Sequence, residues 1–379
     1  MLWNNNRLRN KVLAIALALA AAGLTFADDA SEHSPQLLLS AQRLKRLRRD
    51  RDRQTARWVN FENRVKTAPD STQRGFELAL YYVVTGDEAR GREAVAWVVA
   101  HPSKRLNALL ADWCWPLLTP DQRAKLSQAD SVERQNEFIH SQLSVLKDGG
   151  FRNGETLYAV CEELAIFRET QHVDLREETP GFFRQLPIEF LLAMKPEELA
   201  HPDWMTHIAA LALVSLDPNL ESSQYLQGWA IEDAQTIREG PGVAYEFLWA
   251  DPYLPGVGYQ NMEPWMYDSE GRLFARSSWE TNSCWIEISK NGVEELNCPP
   301  GWQEKRANFG HLTLIPMQER CVDIPRVANN ETVAVWKLKP HEKVLIWISK
   351  KPEPEEADSA GLWRPGANAE GKACIAPVR

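Results

Sequence analysis

The spacing of apolar residues divides this chain into a helical part and a strand part, with the change near residue 255. Upstream of that point, apolar residues recur every three or four positions, which is the period of an amphipathic helix. The pattern predicts helices over 73–84, 87–99, 105–118, 132–147, 153–170, 180–194, 204–215 and 221–237. Short links with Gly, Pro or Asp join them. Such links favour antiparallel neighbours in a bundle, a solenoid or a closed ring.

Capping residues mark several of the helix starts. Ser34-Pro35 combines an N-cap with a proline at the first helical position, and it predicts one long helix from there through Phe61. Thr119-Pro120-Asp121-Gln122 has the form of a capping box with proline at the first helical position. It therefore predicts a new helix at Pro120.

After residue 270 the apolar positions alternate with a period of two, which is typical of β-strands. Strands are predicted over 273–279, 284–289, 311–317, 320–325, 331–338 and 342–349, the last two forming a hairpin. Asn291-Gly292 predicts a tight turn in an earlier hairpin. We favour a register that sets Ile288 opposite Leu296, because a two-residue loop would oppose Ile288 to Glu295.

Both ends of the chain differ from the rest. The first eleven residues carry Arg7, Arg9 and Lys11 without an acid, and Val12 to Ala27 carries no charge. This order, ending in small residues, predicts a cleavable signal peptide. A membrane-spanning helix needs about 20 apolar residues, and the uncharged run over 12–27 is shorter than that. We therefore expect a periplasmic or secreted protein without stable membrane insertion. The predicted division is a signal peptide (1–27), a helical domain (28–255), an antiparallel β domain (256–350) and a Pro/Gly-rich tail (351–379).

Charge limits the classes of partner. The formal net charge is −9, so the protein as a whole has no attraction for nucleic acid, and no nucleic-acid partner is expected. The basic run from Arg43 to Arg53 could form a polyanion-binding face. We interpret it as the solvated side of a helix, because Asp50 and Asp52 lie within it.

The six cysteines show no CxxC pair and no Cys/His cluster with metal-ligand spacing, so no metal or cofactor is expected. An exported protein can form disulfides. For Cys114 and Cys161, a disulfide and a buried thiol remain equally open. Disulfides are favoured for the later four, which are Cys284, Cys298, Cys321 and Cys374.

The stretch 148–158 contains three glycines within six residues just before a predicted helix, so its backbone could approach a ligand closely. It would present Arg152, Asn153, Glu155 and Tyr158 at the helix start. The alternative is an ordinary helix–helix turn with Tyr158 in the core, and composition alone favours that alternative.

Three further groups of residues could take part in chemistry, and each also has a purely structural interpretation. Glu162 and Glu163 point about 100° apart on a helix, so we interpret them as surface residues. His311 opens a strand, either as a general acid/base or as a partly buried structural histidine. Trp113 and Trp115 could stack on sugar rings, but they face different sides of one helix, so at least one is expected in the core.

Several stretches resemble, in order, the heparinase II/III and alginate-lyase-like group of polysaccharide lyases. The matching stretches, which cover roughly residues 37–315, are Leu80 to Ala89, Ala111 to Arg123, Gly150 to Leu175, Arg276 to Trp279 and Gly310 to Leu312. The resemblance implies an α/α toroid, here incomplete, followed by a short antiparallel β-sheet or sandwich, with a cleft between them. It also implies β-elimination on a uronate-containing polysaccharide.

Carried onto this sequence, the resemblance implies Tyr158 as base or acid and His311 as its partner across the cleft. Arg152 and Asn153 would neutralise the uronate, and we expect Glu155 and Trp113 to contact substrate. Phe309 and Thr313 depart from the family pattern, where His and Asp are frequent. The departures favour two alternatives, a non-catalytic periplasmic glycan-binding protein and an envelope structural or assembly protein.

Overall fold

The computed structural model describes residues 35, 37–69, 71–126, 132–262, 264–267, 272–276, 278–289 and 292–297. Farther along the chain it describes the backbones of six strands, whose bounds are given below. The order predicted from the sequence is confirmed, because helices make up the first part and antiparallel strands follow.

The described part of the chain contains thirteen α-helices. They are α1 (Ala41–Asp52), α2 (Ala56–Thr67), α3 (Arg74–Thr85), α4 (Glu88–Ala100), α5 (Lys104–Trp113), α6 (Pro120–Leu126), α7 (Val132–Lys147), α8 (Gly154–Gln171), α9 (Pro180–Ala193), α10 (Pro196–Ala200), α11 (Trp204–Leu216), α12 (Glu221–Ala230) and α13 (Gly242–Trp249). The eight helices predicted from periodicity are confirmed, although α5 and α12 end earlier than expected. The capping box is confirmed too, since Thr119 N–H donates to Gln122 Oε1 and Gln122 N–H to Thr119 Oγ1.

The prediction of one long helix from Ser34-Pro35 is wrong. Leu38 has a φ of +59°, which interrupts a right-handed helix, and α1 begins only at Ala41 after the N-cap Ser40. A second left-handed residue, Gln54, separates α1 from α2. Side chains distant in sequence hold the segment before α1, because the Leu38 N–H donates to Glu169 Oε2 at 2.6 Å.

Helix α13 was not predicted. All eight of its residues are buried, so it lacks the polar face that makes a helical period visible in a sequence. It packs against α2, α3 and α11. The last helix of the helical part therefore contacts helices near its beginning.

The basic run on α1 is not simply a solvated face. Arg46 is buried and donates to the carbonyl oxygens of Leu248 and Ala250, at the end of α13. Arg51 donates to the carbonyl of Val84, and Arg48 to that of Val83, near the end of α3. Terminal helix carbonyls have no intrahelical partner, so these arginines satisfy the ends of other helices. The interpretation as a purely solvated side was wrong for them.

Ten strands are described in the second part of the chain. They are β1 (Trp265–Tyr267), β2 (Leu273–Arg276), β3 (Trp285–Ser289), β4 (Gly292–Asn297), β5 (Ala307–Phe309), β6 (Leu312–Met317), β7 (Thr332–Lys339), β8 (Glu342–Ile348), β9 (Trp363–Ala367) and β10 (Ala373–Pro377). Two antiparallel sheets have the orders β1-β2-β3-β4 and β5-β6-β8-β7, and β9 pairs with β10. The predicted β7–β8 hairpin is confirmed. The strand pair β9–β10 lies where the sequence predicted a tail.

The register predicted for the β3–β4 hairpin is wrong. Ile288 pairs with Val293 and Ile286 with Leu296, and a register shift follows Glu287. This β-bulge places one extra residue in β4. Because of the bulge, both isoleucines keep apolar partners across the hairpin.

The first sheet is attached to the helical part through α9 and the turn before α8. Trp285 Nε1 donates to the carbonyl of Leu192, and buried Arg276 donates to that of Met194 at 2.5 Å. Arg152 forms a two-pronged ion pair with Glu287 of β3. These contacts fix the sheet beside the C-terminal end of α9.

Cys114 and Cys161 are free, buried thiols, which decides the alternative left open by the sequence. Cys284 is bonded in a disulfide to a cysteine whose side chain lies outside the described residues. None of the helices in the described part of the chain combines the length and apolar character needed to cross a membrane.

Candidate functional site

An open cleft of about 610 Å³ lies on the helical part and joins aromatic and charged side chains from five helices. We call it the Arg105 cleft. Its lining includes Gln73, Trp97, Ser103, Arg105, Glu155, Tyr158, Glu162, Trp204 and Tyr245, together with His101 at the end of α4.

The centre of the cleft is an ion pair with a tyrosine joined to it. Arg105 donates through Nε to Glu162 Oε2 at 2.5 Å and through Nη2 to Glu162 Oε1 at 2.7 Å. The Tyr158 hydroxyl donates to Glu162 Oε1 at 2.5 Å. Glu162 is buried, so its interpretation as a surface residue was wrong. A buried carboxylate is stable there because the guanidinium and the phenol satisfy both of its oxygens.

Further hydrogen bonds hold the two tyrosines of the cleft. The Tyr158 hydroxyl accepts from Trp249 Nε1 and from Arg105 Nη2, each at 3.3 Å. The Tyr245 hydroxyl accepts from Arg105 Nη1 at 3.2 Å and donates to Gln73 Oε1 at 2.9 Å. The polar atoms of this network thus have fixed orientations before any ligand arrives, which lowers the entropic cost of binding.

The start of α8 explains how Tyr158 and Glu162 reach the cleft. Asn153 caps the helix by accepting the Thr156 N–H at 2.9 Å. Gly154 lies against α11, and a Cβ there would come within 2.5 Å of the Thr206 backbone nitrogen. Tyr158 and Glu162 are four residues apart and so share one face of α8. Close approach of α8 to α11 turns that face toward Arg105.

The structure brings together only some of the residues predicted to form the site. Tyr158 and Glu155 line the Arg105 cleft. Arg152 is paired with Glu287 and lines a different cavity of about 250 Å³ between α9, α11 and the first sheet. The side-chain oxygen of Asn153 is occupied by its cap.

The other two predicted site residues, Trp113 and His311, are not among the residues that line the Arg105 cleft. Trp113 is 1% exposed, and its indole N–H donates to the carbonyl of Leu37, so it offers no surface to a ligand. His311 lies outside the described residues. Its predicted approach to Tyr158 therefore stays a prediction.

Sequence reasoning missed Arg105, Glu162, Tyr245 and Gln73 as partners of Tyr158. The spacing of Tyr158 and Glu162 was a visible signal, because residues four apart meet on a helix face. Arg105 and Tyr245 lie 53 and 87 residues from Tyr158 (158 − 105 and 245 − 158). Only packing of α5, α8 and α13 reveals that they meet.

A second buried ionic group lies behind the cleft. Glu246, the neighbour of Tyr245 on α13, accepts from Arg57 Nε at 2.7 Å and is bonded to His207 Nε2 at 2.7 Å. Glu246 and His207 are each 1% exposed. The group connects α2, α11 and α13, and so supports the wall that carries Tyr245.

The phenol of Tyr158 should keep its proton up to an unusually high pH. Burial and the negative charge of Glu162 raise the pKa of Tyr158 well above its ordinary value of 10. We expect the phenol to remain protonated at pH 10, whereas the unfolded chain would lose that proton. Stability contributed by Tyr158 should therefore be present below pH 10 and be lost as the pH rises above it.

Titration of ring-labelled tyrosine by NMR measures this effect, with Tyr158→Phe used to assign the signal. A Tyr158 resonance that titrates near pH 10 or below would contradict the buried hydrogen-bonded geometry.

No protein-family model matches the chain, and no curated protein matches it significantly. The residues of the cleft therefore carry the functional argument.

Proposed function

We propose that this is an exported glycan-binding protein of the polysaccharide-lyase-like type, and that it binds a polysaccharide or oligosaccharide in the Arg105 cleft. The proposal includes an incomplete α/α toroid as the helical scaffold. Packing of α13 against α2 and α3 supports that scaffold. Export rests on the basic and apolar pattern of residues 1–27.

The observation that carries the binding proposal is the composition of the cleft. Trp97 and Trp204 offer aromatic surfaces, and Gln73 and Arg105 offer oriented polar groups. A sugar has apolar C–H faces and a rim of hydroxyls, so it is complementary to such a lining. The volume of about 610 Å³ suits a ligand of a few sugar units, since small-molecule sites span about 300–1,000 Å³.

The geometry favours binding over elimination. Arg152 and Asn153, the expected neutralisers of a uronate, are engaged elsewhere. The positive charge of Arg105 is balanced by Glu162. A bound uronate would therefore meet no free cation among the described residues that line the cleft.

Elimination is a second candidate because of one contact. The Tyr158 hydroxyl lies 2.5 Å from Glu162 and accepts from Arg105. Because its raised pKa keeps the phenol protonated, Tyr158 would in this candidate be the acid that protonates the leaving oxygen, and His311 would be the base that takes the C5 proton of a uronate.

A panel of glycans tests both candidates. The purified protein is titrated by calorimetry with neutral, amino and uronate oligosaccharides, and each mixture is monitored for the ultraviolet absorbance of an unsaturated product. Binding without absorbance supports the first candidate. Absorbance that disappears in Tyr158→Phe supports the second, and absence of binding to every glycan contradicts both.

Truncation of Trp204 should weaken glycan binding about tenfold, because it removes an aromatic surface of the cleft. Trp204 is partly exposed at the start of α11, so the fold should tolerate the change. Calorimetric affinities of the wild-type protein and Trp204→Ala measure the loss.

Trp115→Ala is the matched control for Trp204→Ala. Trp115 is also partly exposed, but it packs against Arg123 away from the cleft. Its truncation should leave the affinity unchanged, and equal losses in the two variants would contradict binding in the Arg105 cleft.

A further inference from the structure

Three arginines line a small cavity that lies on the opposite side of Trp249 from the Arg105 cleft. We call it the Arg43 pocket. It has a volume of about 180 Å³, and Arg43, Arg46, Arg168, Ser40, Gln42 and Trp249 line it. Trp249 separates it from the Arg105 cleft, since the indole N–H contacts Tyr158 and the ring carries the Arg43 guanidinium at 4.5 Å.

Positive charge exceeds negative charge in this pocket. Its described lining holds three guanidinium groups and two acids, Glu169 and Asp251. Asp251 lies 3.5 Å from Arg46, and Glu169 accepts the Leu38 N–H. Burial and the charge of Arg46 lower the pKa of Arg43 to about 10. Arg43 is thus held where its own charge is disfavoured.

Helix α1 adds to the same imbalance. Its N-cap Ser40 and its first-turn residue Gln42 line the pocket, where the helix carries partial positive charge. The first turn of α1 contains no acid, and Arg43 lies within it. An anion is the usual complement of a helix N-terminus, and here the chain supplies a cation instead.

A buried nitrogen with no partner lies among these groups. Arg46 is 6% exposed, and its Nε has no hydrogen-bond partner among the described residues. Both terminal nitrogens of Arg46 are bound to carbonyls. Arg46 thus adds a buried positive charge and an unpaired N–H to the group of residues that lines the pocket.

We propose that the Arg43 pocket binds a small oxyanion, namely a phosphate, sulfate or carboxylate group. The guanidinium fork matches the oxygens of all three groups. The cavity is too small for an oligosaccharide and large enough for one such group. The group comes either as a free anion or as a substituent of a sugar.

Calorimetry of the mature protein with inorganic phosphate, sulfate and acetate, at constant ionic strength, tests the proposal. We expect saturable binding of one anion per chain. Arg43→Gln should weaken it at least about tenfold, because a charged hydrogen bond is lost. Absence of saturable binding by all three anions, or equal affinity in the variant, overturns the proposal.

Arg123→Gln is the matched control. Arg123 also stacks on a tryptophan at 4.5 Å and donates to a backbone carbonyl, but it lies outside the pocket. It should bind the anion as the wild type does, and an equal loss there overturns the assignment. If Arg43→Gln does not fold, Arg168→Gln replaces it with the same expected loss.

A sugar phosphate distinguishes the two sources of the anion. Tighter binding of glucose 6-phosphate than of inorganic phosphate assigns the anion to a sugar substituent, and equal or weaker binding assigns it to a free ion. Glycan affinity in the Arg105 cleft should be unchanged in Arg43→Gln. If the Arg43 pocket binds no anion, the proposed glycan binding in the Arg105 cleft is therefore unaffected.

Discussion

Glu246→Ala is expected to lower the free energy of unfolding by about 3 kcal/mol, because it leaves Arg57 and His207 without their shared partner in the interior. Removing one member of a buried ion pair costs more than the pair itself contributes, since the remaining charge stays desolvated. Denaturant unfolding at neutral pH measures the loss. Binding of glycan should weaken as well, because Glu246 holds the helix that carries Tyr245.

Glu88→Ala supplies the comparison. Glu88 and Arg92 form an exposed pair one turn apart on α4, with side chains 63% and 65% exposed. Water screens such a pair, and its removal should cost less than about 1 kcal/mol. Similar losses for Glu246→Ala and Glu88→Ala would show that the buried group does not hold α2, α11 and α13 together.

Gly154→Ala is expected to destabilise the protein by about 2–3 kcal/mol, because the added methyl group meets backbone that cannot rotate away. Its Cβ would lie 2.5 Å from the Thr206 nitrogen and 2.7 Å from the Thr206 Cα. The helices α8 and α11 would have to separate, and overpacking of this kind typically costs about 1–3 kcal/mol. Separation also moves Tyr158 away from Trp204, so glycan affinity should fall. Denaturant unfolding and calorimetry measure the two effects.

Gly181→Ala tests whether the cost comes from the contact or from losing a glycine. Gly181 also lies in the first turn of its helix, and its Cβ would meet nothing within 4 Å. Alanine favours the helix there, so stability should stay the same or rise by up to about 1 kcal/mol. A loss in Gly181→Ala equal to that in Gly154→Ala would contradict the steric explanation.

Local signals in the sequence were sufficient wherever structure depends on near neighbours. Thr119 and Gln122 cap a helix as predicted because each satisfies the other's backbone N–H within one turn. Helix α13 escaped prediction because it is buried on every side. The β3–β4 register escaped because a bulge, which a pairing rule does not anticipate, keeps two isoleucines opposite apolar residues.

The sequence by itself determined the change from helices to strands, most helix bounds and the presence of Tyr158 on a helix that follows a glycine-rich turn. These features follow from periods and caps that act over a few residues. The tertiary structure decided that Glu162 is buried, that Arg105 and Tyr245 meet Tyr158, and that the arginines of α1 serve helix ends and the Arg43 pocket. In the sequence, a charged residue on the surface cannot be told from one in the interior. Only the packing of distant helices decides which charged side chains are buried and form ion pairs.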